Sequence, residues 1–437
     1  MRALALFLAL ATTVAAQDCL VTDYGAVPND GMLDTAAIQA AVDDCAERGG
    51  GTVRVPAGTF DTGTVRLASF VHLHLNAGAL LRGSTDLADY PFQPELTSER
   101  PGRRRALLAA FGAKHVALTG TGTIDGRGPE FAYDAQTGDE TEGRPMFWVV
   151  FQDVRDLTIR DVRMVNSTGW TLNLNRVERV SVRGITIDNP PLAPNTDGID
   201  LRGARDVTIS NVTIRTGDDA ICFKARRGQP VENVVVTNAV LASDDAAIKF
   251  GTRTGDRIAH VLVQNVAIRD TRYGIAVFMK DGGAVEQVRI ENVTFGGEPT
   301  RHGTEYPVYL DIDRRDETSP LGTVRDVTLA GLDLATRGNV LIAGRPDAPI
   351  ERLTLRDVTL RVTEPADLDG RRKPGGIRGL GVIPGSVNLA SVDAHLTLGH
   401  IRGLTLRDVS VLGPGRRPFH VESVTGLRAD GLALSSD

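Results

Sequence analysis

The sequence predicts an all-β protein in which one chain winds into a parallel β-helix, a solenoid of stacked coils, with a short helix near its N-terminal end. Three observations support this prediction. An eight-residue segment recurs every 27 residues, beginning at positions 180, 207, 234, 261 and 288. Each copy alternates apolar and polar residues, as a strand with one buried face does. The fifth residue of each copy is Gly or Asn, which tolerate left-handed backbone angles, so a bend is expected there.

The repeat extends over most of the chain. Copies begin at Leu157, Val180, Val207, Val234, Val261, Val288, Val327, Leu353 and Leu404, and their fifth residues are Asp161, Gly184, Asn211, Asn238, Asn265, Asn292, Gly331, Asp357 and Asp408. A helical repeat would show an apolar period of about 3.6 residues, and a propeller blade needs about 40 residues or more. A coil of about three short strands suits the observed period, with neighbouring coils ~4.8 Å apart. The solenoid would be one domain, although 437 residues would ordinarily suggest two or three.

Composition excludes several classes of protein. Hydrophobic residues make up 41% of the chain, which is enough for a core and excludes bulk disorder. The net charge of −6 gives no basic excess, so we expect no nucleic-acid partner. Three cysteines are too few for a disulfide-dense scaffold or a Cys₄ zinc site.

The N-terminus has the features of a secretory signal. Residues 1–16 combine a basic residue, an apolar run and a small-residue end, which predicts cleavage before Gln17. A membrane anchor is the alternative, but the run is shorter than the ~20 residues that a span needs. We therefore predict a secreted or periplasmic protein with no membrane span. In an oxidising compartment Cys19 and Cys45 could pair, which would leave Cys222 free.

The rest of the chain divides into an opening segment and a long solenoid. Residues 17–70 are predicted to form the N-terminal cap and the first coil. Within them, residues 34–47 should form a helix with apolar residues on one face, and Asp34 can accept a backbone N–H as its N-cap. Residues 71–437 are assigned to the β-helix, in which the stretch 362–385, rich in Gly, Pro and charge, is expected to be a loop.

A second strand precedes several of the repeated segments and brings acidic residues onto neighbouring coils. Its copies begin at Thr171, Gly198, Ala220, Ala247 and Gly274. Aligned positions stack in a parallel β-helix. Asp197 and Asp219, each directly before a copy, should therefore lie roughly 5 Å apart between Cα atoms. Asp218 is adjacent to Asp219 in the sequence.

Three carboxylates this close suit acid–base chemistry. Their repulsion raises the pKa of at least one of them, so that one stays protonated while another is ionised. Hydrolysis of a glycosidic bond needs this division, with an acid for the leaving oxygen and a base for water or a nucleophile. The spacing alone leaves two other interpretations open, an Asp ladder that caps its own turns and a calcium site.

Two motifs about one coil apart carry a family resemblance. NTDG at 195–198 and TGDDA at 216–220 resemble the signature of the polygalacturonase-type glycoside hydrolases, glycoside hydrolase family 28. The similarity is clearest over 145–315, and residues 23–45 and 49–60 resemble the opening of the wider pectin-lyase-like superfamily. The resemblance implies a right-handed parallel β-helix that cleaves pectic polysaccharides with inversion and needs no cofactor.

The resemblance also implies roles for the three acids. Asp218 would be the general acid, and Asp197 and Asp219 would be the bases that orient water. An inverting enzyme keeps its acid and base about 6.5–9.5 Å apart, which leaves room for that water. A regular pleat would direct Asp197 to the same side as buried Ile199, so the turn before its strand must redirect it outward.

Two stretches depart from the family pattern. The usual Gly-His-Gly, one coil after the acid pair, is Asp-Ala-Ala at 245–247, so that Ala246 replaces the histidine. The usual Arg-Ile-Lys aligns with Ala-Val-Phe at 276–278. In the family these basic residues help to hold a galacturonate carboxylate. Their replacement favours a rhamnogalacturonan or a substituted galacturonan over plain homogalacturonan.

Six further side chains are candidates for contact with the substrate. They are Lys249, Lys224, Asp245, Arg272, Tyr273 and Trp170. The two lysines lie on the outward face and could bind an anionic sugar, or they could pair with nearby acids instead. The two aromatic residues flank the acid column and could stack on sugar rings, although packing against the solenoid is the alternative.

These observations predict an inverting glycoside hydrolase that acts on a pectic polysaccharide or oligosaccharide, galacturonan or rhamnogalacturonan-like, with 71–437 as its catalytic domain. We expect a monomer that binds no metal. Two alternatives remain. One is a calcium-dependent polysaccharide lyase of the same fold, with Lys249 or Arg272 as its base. The other is a non-catalytic, glycan-binding or structural solenoid.

Overall fold

We describe residues 17–98, 104–303, 305–365, 389 and 392–435 of a computed structural model. In this part of the chain, 28 strands join into one continuous sheet that winds around an apolar core. The first strands are Gln17–Leu20, Gly51–Val55, Gly58–Thr62, Val65–Arg66, Val71–Leu75, Ala79–Gly83, Leu108–Phe111, Lys114–Gly120, Thr123–Asp125, Phe147–Gln152, Arg155–Arg160, Arg163–Val165, Trp170–Asn175, Glu178–Arg183 and Thr186–Asp188. The others are Ile199–Arg202, Arg205–Thr216, Ile221–Ala225, Val231–Thr254, Arg257–Met279, Ala284–Gly296, Tyr306–Ile312, Thr323–Thr336, Val340–Ala343, Ile350–Val362, Ala394–Leu412, Arg417–Thr425 and Arg428–Ser435. Helices occupy Val21–Tyr24, Thr35–Glu47, Leu87–Asp89 and Gly128–Phe131.

The 27-residue period of the sequence is the spacing between paired strands. Val180 aligns with Val207, Val207 with Val234, Val234 with Val261, and Val261 with Val288, always in parallel strands. Each coil therefore stacks on the next in register, and the same apolar positions fall into the core of every coil. This confirms the all-β, parallel β-helical fold, while the hand of the winding stays a prediction.

The bend predicted at the fifth residue of each segment is present in all nine copies. The φ angles there lie between 52° and 68°. Where neighbouring coils carry Asn at this position, the side chains also form a ladder. The amide of Asn238 donates to Asn211 at 3.1 Å, that of Asn265 to Asn238 at 3.1 Å, and that of Asn292 to Asn265 at 2.8 Å.

A second bend was not predicted. The residue directly before each segment also has a positive φ, for example Arg179 at 56°, His260 at 54° and Gln287 at 53°. Five of the nine residues there are Asp, Asn or Gly, which favour a left-handed conformation, whereas Arg179, Gln287 and Arg352 carry no such sequence signal. Partners on the neighbouring coil stabilise some of these positions, since Arg179 donates to both carboxylate oxygens of Asp156 at 2.7 and 2.8 Å.

The predicted N-terminal helix is present at Thr35–Glu47 and buries Ile38 and Val42, whereas its role as a cap of the solenoid stays a prediction. Asp34 stands at the N-cap position but makes no side-chain bond to the helix. Its carboxylate accepts instead from the backbone N–H of Val27 at 2.9 Å, so the expected N-cap hydrogen bond is wrong.

The structure confirms the predicted disulfide between Cys19 and Cys45, whose Cα atoms are 6.2 Å apart, and leaves Cys222 as a buried free thiol. Residues 1–16 lie outside the described residues, so the signal segment stays a prediction. Most of the predicted loop at 362–385 also lies outside the described residues. The described strand Ile350–Val362 ends where that loop was predicted to begin. Among the described residues no helix has the length and apolar character to cross a bilayer.

Candidate active site

Backbone pairing between adjacent coils brings the three acids together. The N–H of Thr171 donates to the carbonyl of Asp197 at 2.8 Å, and the N–H of Gly198 donates to that of Asp219 at 2.8 Å. The acids therefore stand at the same point of successive coils. One carboxylate oxygen from each of Asp197, Asp218 and Asp219 lies within 4.8 Å of the others.

The turn before the strand Ile199–Arg202 redirects Asp197, as its predicted role requires. Asn195, two residues earlier, has a φ of 52°, and the strand itself begins only after Gly198. The Oδ2 atom of Asp197 consequently reaches the ammonium of Lys224 at 2.8 Å, on the outward side of the strands.

Two lysines bind two of the three acids. Lys224 contacts Asp197 at 2.8 Å and also donates to Asp200. Lys249 contacts Asp219 at 2.9 Å and Asp245 at 3.1 Å. Both predicted substrate-binding lysines are thus charge partners of acids, which was the alternative to sugar binding, and both also line the cleft.

Asp218 differs from its two neighbours because it accepts only from neutral donors. The backbone N–H of Asp219 donates to its Oδ1 at 3.0 Å, and the side-chain amide of Asn195 donates to its Oδ2 at 3.3 Å. Among the described residues its carboxylate forms no ion pair. A partly buried carboxylate without a cation is costly to ionise, so Asp218 is the member of the trio best suited to carry a proton.

Burial raises the pKa of all three acids. Burial, with the charge of Asp197 adding to it, raises the pKa of Asp218 to about 7. Burial and the charge of Asp200 raise the pKa of Asp197 to about 6, opposed by Lys224. Burial also raises the pKa of Asp219 well above its usual range, and Lys249 opposes that shift. The group therefore holds protons near neutral pH that isolated aspartates would release.

The lysines themselves stay charged. Burial alone would lower the pKa of Lys224, but Asp197 and Asp200 raise it well above its usual value. Burial acts in the same direction on Lys249, and the negative charges of Asp219 and Asp245 overcome it. Each ammonium therefore stabilises the ionised form of the aspartate that it contacts.

The three acids open into a cleft of about 280 Å³. Among the side chains that line it are Phe147, Trp170, Arg202, Arg226, Arg253 and Arg315. The ammonium of Lys224 lies 3.8 Å from the centre of the Trp170 ring, which fixes that ring beside the acids. The cleft therefore combines an acidic centre, an aromatic face and several arginines.

Three of the predicted substrate-binding residues do not reach the cleft. Asp245 holds Lys249, and Arg272 contacts Asp245 at 3.5 Å. Tyr273 is only 4% exposed and stacks on Tyr306 with ring centres 5.2 Å apart. Its ring has no free face for a sugar, so the interpretation of Tyr273 as a stacking platform is wrong. The coil on which it lies has its outward side covered by other aromatic rings.

Sequence reasoning missed Asn195 and Arg144. The buried guanidinium of Arg144 donates to the carbonyl of Pro194 at 3.0 Å and to the side-chain oxygen of Asn195 at 3.3 Å. This orients the Asn195 amide toward Asp218. Asn195 belongs to the NTDG motif and could have been found from it, whereas nothing in the sequence around Arg144 marked that residue.

The arginines Arg226, Arg253 and Arg315 were missed for another reason. Arg226 and Arg315 follow strands and Arg253 lies near the end of the strand Val231–Thr254, at different distances from the aligned positions, so an alignment of coils does not bring them into one column. Arg315 donates to both carboxylate oxygens of Asp281 and to the carbonyl of Thr252 at 2.7 Å, which fixes it at the cleft wall.

The donor set of the acid cluster is a poor match for calcium. Calcium prefers six to eight oxygen ligands. Here ammonium groups already contact Asp197 at 2.8 Å and Asp219 at 2.9 Å, where they would repel a divalent cation. The arrangement therefore favours proton transfer over metal binding at this site.

The fold and the site together define a class of protein, a parallel β-helix whose carboxylate cluster suits acid–base chemistry on a sugar chain. Within that class the chain belongs to the glycosyl hydrolases family 28, whose family model matches residues 45–366.

Similar proteins are polygalacturonases by name. A probable polygalacturonase of Vitis vinifera is 29% identical over 243 residues, 52% of this chain and 49% of the relative. An exo-poly-alpha-D-galacturonosidase of Dickeya chrysanthemi is 29% identical over 51% of this chain and 44% of its own length. The chain thus matches about half the length of these relatives. An exopolygalacturonase structure from Thermotoga maritima has a TM-score of 0.65 at 20% identity, over 79% of this chain and 87% of that one, and supports the fold.

Proposed function

We propose that the protein hydrolyses glycosidic bonds in galacturonan or a related pectic polysaccharide, with Asp218 as general acid and Asp197 and Asp219 activating water. The observation that carries this proposal is the unequal pairing of the three acids. Lysines contact Asp197 at 2.8 Å and Asp219 at 2.9 Å, whereas Asp218 accepts only from neutral donors.

The proposed reaction follows from that arrangement. Asp218 gives its proton to the glycosidic oxygen as the bond to the sugar carbon breaks. A water held between Asp197 and Asp219 attacks that carbon and loses its proton to one of the two carboxylates. Lys224 and Lys249 keep those carboxylates ionised before the reaction. Return of the proton through solvent restores Asp218.

The lining of the cleft supports an anionic substrate. Arg202, Arg226, Arg253 and Arg315 surround the acid centre, and a uronate carboxylate suits the planar fork of an arginine. The names of the relatives point to the same sugar. The positions at which the family carries its cations hold apolar residues in this chain. We therefore propose that these arginines recognise the carboxylate instead.

Inversion at the anomeric carbon is part of the proposal and rests on the family resemblance. The nearest oxygens of the three acids lie within 4.8 Å, less than the roughly 6.5–9.5 Å expected from inverting pairs. Proton NMR of the first product will decide between the two outcomes. A newly formed sugar end of opposite anomeric configuration supports the proposal, and a retained configuration contradicts it.

We also propose that the chain is exported, works as a monomer and winds in the right-handed sense. Export follows from residues 1–16, and size-exclusion chromatography with light scattering tests the monomer.

The activity itself is tested on purified protein with homogalacturonan, rhamnogalacturonan, a substituted galacturonan and a neutral glucan as control. We expect new reducing ends from at least one uronate polymer and none from the glucan. An ultraviolet-absorbing unsaturated product would identify a lyase instead. If no uronate polymer is cleaved, the proposed hydrolysis is refuted.

A further inference from the structure

The cleft ends abruptly on its upstream side, toward the N-terminus. The outward side chains of the two preceding coils, Ala109, Val150 and Phe147, are at most 2% exposed. They pack beneath Leu96 and Ala106 in a separate apolar cluster. A glycan lying across the stacked strands, from coil to coil, therefore meets a wall at this point.

Hydrogen bonds attach the wall to several coils. The backbone N–H of Thr97 donates to the side-chain oxygen of Gln152 at 2.9 Å, and the Gln152 amide donates to the carbonyl of Glu95 at 2.6 Å. The guanidinium of Arg176 donates to the Thr97 hydroxyl at 3.3 Å. These contacts join the segment 95–97 to the outward strand face, so the wall is a built part of the fold.

An aromatic plug closes the opposite, downstream side. It comprises Ala246, Tyr273, Ala276, Phe278, Tyr306 and Tyr309, none more than 7% exposed. The ring centres of Phe278 and Tyr309 are 5.1 Å apart, and those of Tyr306 and Tyr309 are 5.3 Å apart. This interlocked packing occupies the strand face along which a groove would otherwise continue.

The open strand face is short. It runs from the coil of Trp170 to the coil of Lys249, three coil spacings or ~14 Å. The cleft volume of about 280 Å³ is at the lower limit for pockets that hold a single small ligand. A long polymer segment does not fit between the two ends.

We infer that the cleft receives one end of a uronate-containing chain and releases a short product, so that the protein is exo-acting. This inference rests on the proposed function. Asp218 and Asp219 also lie off-centre, because their coil is one coil from Ala246 of the plug and three coils from Phe147 of the wall. Little space remains on the plug side of the acids, so the released piece is a monosaccharide.

The action pattern of the intact protein tests this inference. Viscosity, reducing ends and product sizes are followed together on demethylated polygalacturonate, or on whichever uronate polymer the protein cleaves. A second series uses the same mass of polymer pre-cut to shorter chains. Protein with Asp218→Asn, prepared in parallel, controls for contaminating hydrolases.

We expect a monosaccharide from the first turnovers, nearly unchanged viscosity, and a rate at equal mass that rises in proportion to the number of chain ends. A ladder of oligosaccharides with an early fall in viscosity would overturn the inference and leave the proposed hydrolysis standing. Absence of cleavage of every uronate polymer would instead remove the proposed function, so the two failures are distinguishable.

Discussion

Replacing Asp218 by asparagine is expected to inactivate the protein. The same substitution should destabilise the protein at pH 4 and stabilise it at pH 8. Asparagine keeps the shape of the side chain but has no proton to give. Loss of a general acid lowers the rate by roughly 10²–10⁴-fold. The same substitution removes the one carboxylate of the trio that has no lysine partner.

The stability effect follows from the pKa of Asp218. In the fold this pKa is raised to about 7, whereas in the unfolded chain it is about 3.9. The native state keeps a proton that the unfolded state releases, so this carboxyl lowers the free energy of unfolding as pH rises from about 4 to about 7. The full shift corresponds to roughly 4 kcal/mol, all of it present above pH 7.

Asparagine removes this penalty but also loses one hydrogen bond, because its NH₂ group replaces one of the two oxygens that accept from Asn195 and from the backbone of Asp219, and NH₂ cannot accept. That loss costs about 1–3 kcal/mol at any pH. We therefore expect Asp218→Asn to be less stable than the parent at pH 4 by about that amount. At pH 8 it should be more stable by roughly 1–3 kcal/mol.

Urea unfolding at the two pH values, together with a reducing-end assay at pH 6.5, measures both effects. Asp161→Asn is the matched control, because Asp161 is an exposed bend residue and Asn occupies the same bend position on other coils. The control should retain activity and show no pH-dependent crossover. Turnover by Asp218→Asn within tenfold of the parent, or a stability difference of the same sign at both pH values, would refute the assignment of the acid.

Three further predictions concern the disulfide, the bends and the cleft wall. Replacing Cys19 and Cys45 by Ala removes a crosslink over 26 residues and should lower the free energy of unfolding by roughly 3–4 kcal/mol in urea; a loss below about 1 kcal/mol would contradict this. At Asn238, where φ is 56°, the Val variant should have a free energy of unfolding about 1–2 kcal/mol lower than that of the Gly variant, because both lose the Asn ladder but only Val disfavours the bend. Equal free energies of unfolding for the two variants would contradict the backbone argument. Arg315→Gln should raise KM for a uronate substrate about tenfold or more through loss of a charged contact, whereas Arg314→Gln, one residue away and outside the cleft lining, should not; equal effects would contradict carboxylate binding.

The bends show what local sequence can predict. All nine predicted bends are present because Asn, Asp and Gly adopt positive φ angles more readily than other residues. In the second set of bends, Arg179, Gln287 and Arg352 oppose intrinsic preference at about 1 kcal/mol or more each, whereas five of the nine positions hold Asp, Asn or Gly. At those three residues the stacking of coils imposes the conformation, and the residue type does not record it.

The site could be predicted in part for the same reason. Register alone brings Asp197 and Asp219 together, because paired parallel strands stack their equivalent positions. The surroundings depend on turns and on segments that cross the strands, which have no fixed spacing. An alignment of coils therefore cannot predict the wall around Leu96 or the arginines of the cleft. The prediction for Tyr273 was wrong because such an alignment cannot show which coils are covered by other side chains.

The protonation of the acid follows from where the lysines stand. Within the described residues, five neighbouring carboxylates share the cations Lys224, Lys249 and Arg272; the five are Asp197, Asp200, Asp218, Asp219 and Asp245. These ion pairs reach four of the five carboxylates and leave out Asp218. On the outward column of these coils Asp200 aligns with Cys222 and Cys222 with Lys249, so the coil that carries Asp218 has an apolar thiol where a cation could stand. Asp218 is therefore the member of the group that none of these ion pairs holds ionised, and a proton kept there is the one that the proposed glycosidic cleavage requires.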